Sequence, residues 1–443
     1  MKRATATIFV AGMVSACASS LWRDYQPNQG GGGEGGEPCT VLPDGPTVLV
    51  NGTFAGAMTE ERAQTITLRD LDGDGLAEIC GHDGQRYVCY ELRGLCDTSD
   101  EEIWSVPLDA AWLADDESRE SLRFGDVDGN GRLDLCVREP DGIWCALGLA
   151  DVLEAPLQHW SSGFTVADGW GAESHAPTIQ LVDMDGDGKD DICGRGVDGI
   201  YCAASGETGA ASPIKWSSGD QFTDEFPNVS EPQNYFTLRF VNVGGSARPD
   251  ICLGVPGVRC AISKAPGEIG LDTVSMWSEL TLFGSWKHEQ YWRTFQFVDL
   301  DGDGRQDFCA RGDNYFYCAR STGDAFEQFR AMLPELADSE GWNREIRYTT
   351  LRIVDVDGDG RPDVCGRDAS GIVCGLGLAE LPSPEGIGPF FENLANWSSA
   401  FADDGNFEDD YSQILTLQTA EVDGTPGVEW CARQLDGVRC TWD

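Results

Sequence analysis

The chain has 443 residues, and its 75 acidic side chains against 31 basic ones give a formal net charge of −44 at pH 7. A charge of this sign argues against binding to nucleic acid or docking on anionic lipid, because both are themselves negative. Hydrophobic residues make up 41% of the sequence, which is enough for a folded core and excludes a disordered acidic tail. Length alone suggests about two or three domains.

The first residues have the pattern of an export signal. A basic start, MKR, precedes an apolar stretch, Ala4 to Ala16, that is too short to span a membrane. Val14 to Cys17 resembles a bacterial lipobox, in which Cys17 would be lipidated and become the mature N-terminus. The alternative is ordinary cleavage after Ala18, since Ala16-Cys17-Ala18 also fits the A-x-A pattern.

Residues 18–40 are predicted to form a flexible tether, because residues 30–36 read GGGGEGG. A tether suits a head anchored by lipid, so we predict a lipoprotein signal peptide over residues 1–17. The predicted location is the bacterial cell envelope, at the outer membrane or cell surface, with secretion as the alternative. The membrane would be contacted only through the lipid anchor.

An acidic motif that ends in cysteine recurs through the rest of the chain. Its seven copies begin at Asp70, Asp126, Asp183, Asn242, Asp299, Asp355 and Glu421. An alternating apolar run precedes each copy, and short strand-like segments follow it, which predicts four strands per unit. A repeat of this length with four strands is typical of a propeller blade. We therefore predict one all-β domain over residues 41–443, a seven-bladed β-propeller, in place of two or three domains.

The two ends of the chain predict how the ring closes. The last unit stops at Asp443, after its third strand, and residues 47–52 (TVLVNG) form a spare strand before the first unit. We predict that this N-terminal strand completes the last blade. The alternative is an open solenoid, which would need capping repeats.

Cysteines follow the same repeat. Of the 17 cysteines, Cys17 is lost by either route of processing, which leaves an even set that suggests disulfides in an exported protein. Each unit holds two cysteines about a tight turn, within bridging reach on adjacent strands. The predicted pairs are Cys80 with Cys89, Cys136 with Cys145, Cys193 with Cys202, Cys252 with Cys260, Cys309 with Cys318, Cys365 with Cys374, and Cys431 with Cys440. Zinc is the alternative, but CxxC spacing is lacking and there are only 4 histidines. Cys39 and Cys96 remain and are predicted to pair.

The acidic loops offer hard oxygen ligands at positions 1, 3, 5, 7 (backbone carbonyl) and 9, which matches the preference of Ca²⁺. Position 12 of the sixth loop is Gly366, where an EF-hand needs a bidentate Glu, so these loops are not EF-hands. About five structural Ca²⁺ sites are predicted. Their ligands are Asp70, Asp72, Asp74, Leu76, Glu78; Asp126, Asp128, Asn130, Arg132, Asp134; Asp183, Asp185, Asp187, Lys189, Asp191; Asp299, Asp301, Asp303, Arg305, Asp307; Asp355, Asp357, Asp359, Arg361 and Asp363. The fourth loop (Asn242, Gly244, Ser246) and the seventh (Pro426 for the turn glycine) are predicted not to bind metal.

With this motif, the chain resembles the FG-GAP/VCBS repeat family, known from the seven-bladed propeller of integrin α subunits. The resemblance covers about residues 47–443 and implies that D-x-D-x-D-G-x-x-D loops bind calcium between the first and second strands of a blade. The FG and GAP tripeptides are largely missing, and paired cysteines are not a general family feature. The resemblance therefore implies a fold and metal sites, and no particular ligand.

Three further features are interpreted as structural. Arginines two residues after the first cysteine of a unit are expected to pair with an acid of their own blade, such as Asp198 or Asp368, rather than to bind an anion. One of them begins an RGD tripeptide at Arg311, which is expected to have no adhesive role. Tryptophans of the repeated W-S pairs are expected to pack between blades, whereas Trp286, Trp292 and Trp342 are the better candidates for ligand contacts.

No catalytic residues are predicted. The four histidines share no repeat position, and the motifs G-x-S-x-G and H-E-x-x-H and a phosphate-binding loop are missing. The predicted function is a calcium-binding, surface-anchored binding or adhesion module, monomeric, with an unknown protein or polysaccharide ligand. The first alternative is a lectin-like polysaccharide binder, and the second is a calcium-dependent enzyme acting on glycans.

Overall fold

The strands form seven sheets that repeat along the chain. The computed structural model describes residues 54, 58–91, 102–148, 154–219, 221–224, 231–254, 257–278, 288–382, 388–403, 411–434 and 437–441. Within these residues, six sheets have four antiparallel strands, and the seventh has three. The first six sheets add strands in order from the first to the fourth, as the prediction of propeller blades requires. The fold is an all-β seven-bladed propeller.

The strands have the following bounds, blade by blade. Blade 1 comprises β1 (Thr67–Arg69), β2 (Glu78–His82), β3 (Tyr87–Tyr90) and β4 (Glu102–Val106). Blade 2 comprises β5 (Arg123–Gly125), β6 (Asp134–Glu139), β7 (Gly142–Ala146) and β8 (Gln158–Ser161). Blade 3 comprises β9 (Gln180–Val182), β10 (Asp191–Gly196), β11 (Gly199–Ala203) and β14 (Ile214–Lys215), with a small hairpin of β12 (Ser205–Gly206) and β13 (Gly209–Ala210). Blade 4 comprises β15 (Arg239–Val241), β16 (Asp250–Gly254), β17 (Val258–Ala261) and β18 (Ser275–Ser278). Blade 5 comprises β19 (Gln296–Val298), β20 (Asp307–Arg311), β21 (Phe316–Ala319) and β22 (Arg330–Met332). Blade 6 comprises β23 (Arg352–Val354), β24 (Asp363–Asp368), β25 (Gly371–Gly375) and β26 (Ala395–Ser398), and blade 7 comprises β27 (Gln418–Ala420), β28 (Glu429–Gln434) and β29 (Gly437–Thr441).

Short helices lie in the connections between blades, each a few residues before the first strand of the next blade. The α-helices are α1 (Glu60–Ala63), α2 (Ala110–Ala114), α3 (Asp116–Glu120), α4 (Pro232–Tyr235), α5 (Glu289–Trp292), α6 (Glu345–Tyr348) and α7 (Tyr411–Ile414). The 3-10 helices are Ala176–Thr178, Pro334–Leu336 and Asp338–Glu340. Because the connection from a fourth strand to the next first strand lies opposite the acidic loops, these helices mark the other face of the ring.

Contacts between the first and the last blade close the ring. The backbone N–H of Ala77 in blade 1 donates to the carbonyl of Glu421 in blade 7 at 2.8 Å. Gln418 Nε2 donates to Ile66 O at 2.9 Å, and Gln418 Oε1 accepts from the N–H of Leu68 at 3.3 Å. These bonds exclude the open solenoid. The predicted closing strand at residues 47–52 lies outside the described residues.

A hydrophobic cluster fills each of the seven interfaces between neighbouring blades. Trp104 of blade 1, for example, packs with Leu135 and Val137 of blade 2. The equivalent tryptophans of the W-S pairs, Trp160, Trp216 and Trp277, are also buried and belong to clusters shared with the next blade. The prediction that these tryptophans pack between blades is confirmed.

All seven predicted cysteine pairs within the repeats are disulfide-bonded, and each joins the second and third strands of its blade. In every pair the two cysteines face each other directly in the strand register, as with Cys309 and Cys318 of blade 5. The bonded pairs are Cys80 with Cys89, Cys136 with Cys145, Cys193 with Cys202, Cys252 with Cys260, Cys309 with Cys318, Cys365 with Cys374, and Cys431 with Cys440. The predicted pair of Cys39 and Cys96 falls outside the described residues. Disulfides of this number indicate an exported protein.

A threonine or serine just before the first strand fastens the second strand of each blade to the preceding connection. Its hydroxyl accepts the N–H of the second strand at 2.8–2.9 Å, and it donates to the carbonyl three residues earlier at 2.6–2.7 Å. The residues are Thr65, Ser121, Thr178, Thr237, Thr294, Thr350 and Thr416. The sequence analysis missed this position.

Replacing one of these hydroxyls is expected to destabilise the fold. In Thr294→Val, the buried N–H of Arg311 would lose its acceptor, which costs about 1–3 kcal/mol of unfolding free energy. Guanidinium-induced unfolding measures this loss. Thr294→Ser keeps the hydroxyl and is expected to lie within about 1 kcal/mol of the parent protein; equal stability of all three proteins would contradict the assignment.

Candidate metal centres and the opposite face of the ring

Each acidic loop connects the first and second strands of a blade and is folded around the side chain at its first position, which is a carboxylate in six of the seven loops. In blade 2, Asp126 Oδ1 accepts from the N–H groups of Gly129 and Asn130 at 2.7 and 3.0 Å, and Oδ2 accepts from Gly131 at 2.7 Å. Gly129 and Gly131 both have positive φ, 78° and 82°, which suits glycine better than other residues. The alternating glycines of the motif therefore allow the loop to wrap around one aspartate.

Carboxylates converge at the same place in five of the loops. In each, three residues offer ligand oxygens that lie within 4.8 Å of one another. The groups are Asp70, Asp72 and Glu78; Asp126, Asp128 and Asp134; Asp183, Asp185 and Asp191; Asp299, Asp301 and Asp303; and Asp355, Asp357 and Asp359. All five loops predicted to bind calcium are among the acidic groups, and the described residues hold one further group. Three convergent carboxylates in one loop provide the hard oxygen donors that suit Ca²⁺.

Burial and mutual repulsion make these carboxylates costly to ionise without a cation. Burial raises the pKa of Asp70, and the neighbouring charges of Asp74 and Asp72 raise it further against two backbone hydrogen bonds. Burial likewise raises the pKa of Asp301, with repulsion from Asp303 and Asp299. A bound divalent cation would relieve this repulsion, so the residues present fit a metal ion chemically.

The acidic residue at position 9 has a structural role that the sequence analysis did not foresee. In blade 5, Asp307 is fully buried, Oδ2 accepts from Leu300 N at 3.0 Å, and Oδ1 accepts from Ser321 N at 2.7 Å. The same pair of bonds recurs at Asp134, Asp191, Asp250 and Asp363. Since Asp250 belongs to the loop predicted to lack metal, this carboxylate supports the blade whether or not an ion binds. Its role as a ligand stays a prediction.

The pH dependence of stability follows from the carboxyls at position 9. Burial raises the pKa of Asp307 and of Glu78 to about 8, from 3.8 and 4.5. Between the ordinary pKa of the unfolded state and the raised pKa of the folded state, the metal-free folded protein binds more protons than the unfolded protein. The stability of the metal-free protein therefore falls as pH rises through this range. Metal-free protein is therefore expected to melt at a lower temperature at pH 8 than at pH 5. Calcium needs ionised ligands and binds more tightly at higher pH, so saturating calcium should remove this loss. Calorimetry of the metal-free and the calcium-saturated protein from pH 5 to 8 measures the change in melting temperature. A melting temperature of the metal-free protein that rises over this range would contradict the prediction.

At position 7, basic side chains lie over the loops. Lys189 Nζ contacts Asp187 at 2.6 Å, and Arg305 and Arg361 pair in the same way with Asp303 and Asp359. A cation in these loops would share the carboxylate at position 5 with the basic side chain. Backbone carbonyls of Leu76, Arg132, Lys189, Arg305 and Arg361 remain predicted ligands.

In the fourth loop an amide replaces the first carboxylate. Asn242 Nδ2 donates to Ser246 O at 2.8 Å. An N–H donor therefore lies at the centre of this loop, the position that a cation would take in the other loops. In the seventh, Glu421 Oε1 accepts from Gly424 N at 2.7 Å. The prediction that these two loops lack metal remains a prediction.

Several neighbouring acidic loops are hydrogen-bonded to each other. In blades 1, 2, 3 and 5 the N–H at position 8 donates to the loop of the preceding blade, as from Asp190 to Asp126 O at 2.8 Å and from Gln306 to Asn242 O at 2.6 Å. Proline holds this position in blades 4 and 6. The side chains of Asp190 and Gln306 accept the N–H of Asp126 and of Asn242 in return, at 3.0 and 2.8 Å. These bonds join the loops concerned to the loop of the preceding blade.

On the opposite face, three of the repeated arginines are buried and form ion pairs with acids in the connection that follows their blade. Arg195 Nη1 lies 2.7 Å from Asp224 Oδ1, and Arg311 Nη1 lies 2.6 Å from Asp338 Oδ1. Arg367 pairs with Asp403 in the same way. Pairing with an acid of the same repeat unit is as predicted for these three arginines, but Asp198 and Asp368 are the wrong partners. Those two acids lie at the hairpin turn, where Asp198 contacts Lys215 and Asp368 accepts from Ser370, whereas the guanidinium extends under the segment that follows the fourth strand.

Burial also bears on the RGD tripeptide and on the tryptophans named as candidates for ligand contacts. Arg311 of the RGD tripeptide is 1% exposed, so a receptor could not reach it without unfolding the blade. Trp292 and Trp342 are 6% and 2% exposed. Trp292 stacks on Phe236 at a centroid distance of 5.6 Å, and the prediction that these two tryptophans contact a ligand is wrong. Trp286 lies outside the described residues.

Comparison with protein families agrees with the repeat. The family model of the FG-GAP-like repeat matches residues 299–365, which run from the fifth acidic loop to the first cysteine of the sixth unit. This chain is a seven-bladed β-propeller with an FG-GAP-like repeat at residues 299–365. The resemblance inferred from the acidic motif is thereby confirmed. No curated protein sequence matches the chain.

Solved structures show a similar architecture. An Agrocybe aegerita lectin, described in terms of its recognition of non-reducing terminal N-acetylglucosamine, is 19% identical with a TM-score of 0.64, over 85% of this chain and 93% of that chain. A Bacillus licheniformis rhamnogalacturonan lyase is 12% identical with a TM-score of 0.35, over 89% of this chain and 75% of that chain. At these identities the FG-GAP-like repeat protein shares with the lectin the fold alone, and the lyase adds no argument.

The described part of this FG-GAP-like repeat protein has no helix long and apolar enough to cross a membrane. The predicted signal peptide, Cys17 and the tether lie outside the described residues, so lipid anchoring stays a prediction.

Proposed function

We propose that this propeller is an exported binding module whose acidic face is held rigid by about five Ca²⁺ ions. The observation that supports it is the recurrence of three convergent carboxylates at the same position of five blades. Repetition of this kind suits a scaffold, because a catalytic centre needs one asymmetric arrangement of acid, base or nucleophile. In this proposal the calcium ions order the loops, and other surfaces contact the ligand.

Anchoring of this module to the cell envelope through Cys17 is part of the proposal. Mass spectrometry of the mature N-terminus of protein purified from the native membrane tests it directly. A lipid-modified Cys17 supports anchoring. A mature chain that starts after Ala18 supports secretion instead.

A lectin-like function is the second candidate, supported by the shared fold of the Agrocybe aegerita lectin and by two surface sites. In blade 2, the partly exposed Trp144 donates from Nε1 to Asp141 at 2.9 Å. In blade 3, Tyr201 occupies the same repeat position and donates to Asp198 at 2.8 Å. An aromatic ring beside a carboxylate offers a sugar both a stacking surface and a hydrogen-bond acceptor.

A glycan array with purified protein tests the choice between these functions. For the lectin, we expect glycan binding that is lost in Trp144→Ala and Tyr201→Ala and retained in Val373→Ala, which alters the same repeat position in blade 6. Binding that is equal in all variants would contradict the site. If no glycan binds but a partner protein is captured from envelope extracts in calcium and not in chelator, the general binding module is supported without the lectin.

A further inference from the structure

The first strand of every blade lies at the centre of the ring, and in blades 2 to 7 one position of this strand alternates between arginine and glutamine. First strands of neighbouring blades contact each other, as β5 contacts β9 and β19 contacts β23. The residue that faces the first cysteine of its blade is Thr67, Arg123, Gln180, Arg239, Gln296, Arg352 and Gln418 in blades 1 to 7. Blades 2, 4 and 6 thus carry arginine where blades 3, 5 and 7 carry glutamine.

The glutamines have a structural role, since each forms hydrogen bonds with backbone groups in or just before the first strand of the next blade. Gln296 Nε2 donates to Leu351 O at 3.4 Å, and its Oε1 accepts from Ile353 N at 2.9 Å. Gln180 Nε2 donates to Leu238 O at 3.2 Å. A glutamine at this position is therefore sufficient for joining one blade to the next.

Arg123 performs the same task with its guanidinium. Its Nε donates to Ile179 O at 2.8 Å and its Nη2 to Pro177 O at 3.4 Å, both in the connection to blade 3. Its Nη1 donates to Glu120 O at 2.7 Å, and the charge of Glu120 is close enough to raise the pKa of Arg123 against the larger lowering by burial. All faces of this guanidinium are occupied.

Arg239 and Arg352 differ from Arg123. Their Nη1 atoms donate to carbonyls at the ends of α4 and α6: Arg239 to Phe236 O and Leu238 O at 2.7 and 2.9 Å, and Arg352 to Thr349 O and Leu351 O, both at 2.8 Å. No described residue accepts from Nε or Nη2 of either arginine, and neither forms an ion pair within the described part of the chain. The edge formed by Nε and Nη2 is the one that binds a carboxylate or phosphate with two parallel hydrogen bonds.

Within the part of the chain that the structure describes, no carboxylate compensates the charge of these two arginines. Burial lowers the pKa of both Arg239 and Arg352 to about 10, and no carboxylate acts against it. The chain has 75 acidic side chains, yet none of those in the described residues forms an ion pair with these two half-buried guanidiniums. Since glutamine serves to join the blades elsewhere, joining alone does not account for arginine here.

We propose that Arg239 and Arg352 each bind a small oxyanion, a free phosphate, sulfate or carboxylate, through the Nε–Nη2 edge of the guanidinium at the helix-bearing end of the first strand. The free Nε–Nη2 edges hold the anion oxygens, and Nη1 of each arginine stays bonded to the helix end, so the guanidiniums are fixed before the anion arrives. A small anion is favoured over a polyanion, because the net charge of −44 repels an extended negative chain from the outer surface.

The test uses the substitutions that the protein itself carries in its other blades. The double variant Arg239→Gln with Arg352→Gln is expected to fold, since blades 3, 5 and 7 have glutamine at this position, and Arg123→Gln is the matched control. Calorimetric titration with inorganic phosphate and with sulfate, at constant ionic strength and saturating calcium, measures binding. The concentrations of sulfate and phosphate are kept low enough that their calcium salts do not precipitate.

We expect the parent protein and Arg123→Gln to bind one of these anions with similar affinity. The double variant should bind roughly tenfold more weakly or not at all, because charge-assisted hydrogen bonds are lost. Equal binding by all three proteins, or no binding by the parent, overturns the proposal. A parallel titration with galacturonate and polygalacturonate distinguishes the sources: binding of the polymer alone, unchanged in the double variant, also overturns it. Unchanged thermal unfolding of the double variant in anion-free buffer shows that a loss of binding is not a loss of fold.

Discussion

Removing calcium is expected to lower the midpoint of thermal unfolding by roughly ten degrees or more. At a free calcium concentration about one hundred times Kd, each site stabilises the folded state by about 2.7 kcal/mol, and five loops have convergent carboxylates. The loss would be cooperative, since neighbouring loops such as those of Asp126 and Asp190 are hydrogen-bonded to each other. Differential scanning calorimetry at pH 7.5, with calcium and with excess EDTA, measures the shift.

Magnesium provides the control for this experiment, because it demands smaller, octahedral sites and is expected to restore little of the lost stability. Adding calcium back beyond the EDTA should restore the original curve. Identical melting curves with calcium and with EDTA would contradict the assignment of calcium to these loops.

Reduction of the disulfides is the second change with a large expected effect. Each of the seven bridges closes a loop of 8 or 9 residues, worth about 2–3 kcal/mol in the chain-entropy model. Because a folded domain is stable by only about 5–15 kcal/mol, the fully reduced protein is expected to be unfolded at 37 °C even in calcium. To measure this, the protein is reduced in mild denaturant and the denaturant is then removed. Circular dichroism of the reduced protein shows whether it is folded.

A single-bridge variant separates the contribution of one bridge from that of reduction itself. The double substitution Cys309→Ala with Cys318→Ala should leave the protein folded and remove about 2–3 kcal/mol of unfolding free energy. A reduced protein as stable as the oxidised one would show that the bridges do not hold the blades. Titration of free thiols in the unreduced mature protein is expected to find almost none.

The repeated chemistry made most of the fold predictable from the sequence. Cysteines at fixed distances and aspartates with alternating glycines mark strand, loop and hairpin in each unit, and seven copies imply a ring. The pairing of Cys309 with Cys318 needed only the knowledge that a tight turn separates them. Closure by Ala77 and Glu421 could be expected from the count of blades, but the bonds themselves could not.

Partners far apart in the sequence were less predictable. Arg195 was expected to pair with Asp198, three residues away, and pairs with Asp224 instead, because strand direction carries the guanidinium away from the hairpin turn. Trp292 lies outside the repeated motif, which made it a candidate for ligand contact, yet it is buried against Phe236. An aromatic residue in a connection between blades is part of the hydrophobic core where that connection packs against the blades.

Two repeated positions were visible in the sequence and were overlooked. The hydroxyl at Thr294 and its equivalents precedes each first strand, and the alternation of Arg239, Gln296 and Arg352 follows it by two residues. Neither position carries a residue type that is diagnostic alone. Only alignment of all seven units, with the acidic loop as reference, would have shown them as periodic.

Direct counting of bound calcium tests the central claim best. Chelator-treated protein, equilibrated with calcium at pH 7.5 and analysed by elemental mass spectrometry, is expected to hold about five ions per chain. The double variant Asp299→Asn with Asp301→Asn, which alters one loop, should hold one ion fewer, whereas Asp423→Asn in the seventh loop should leave the number unchanged. A parent protein that retains no calcium, or a count that the loop-five variant does not lower, would contradict the account.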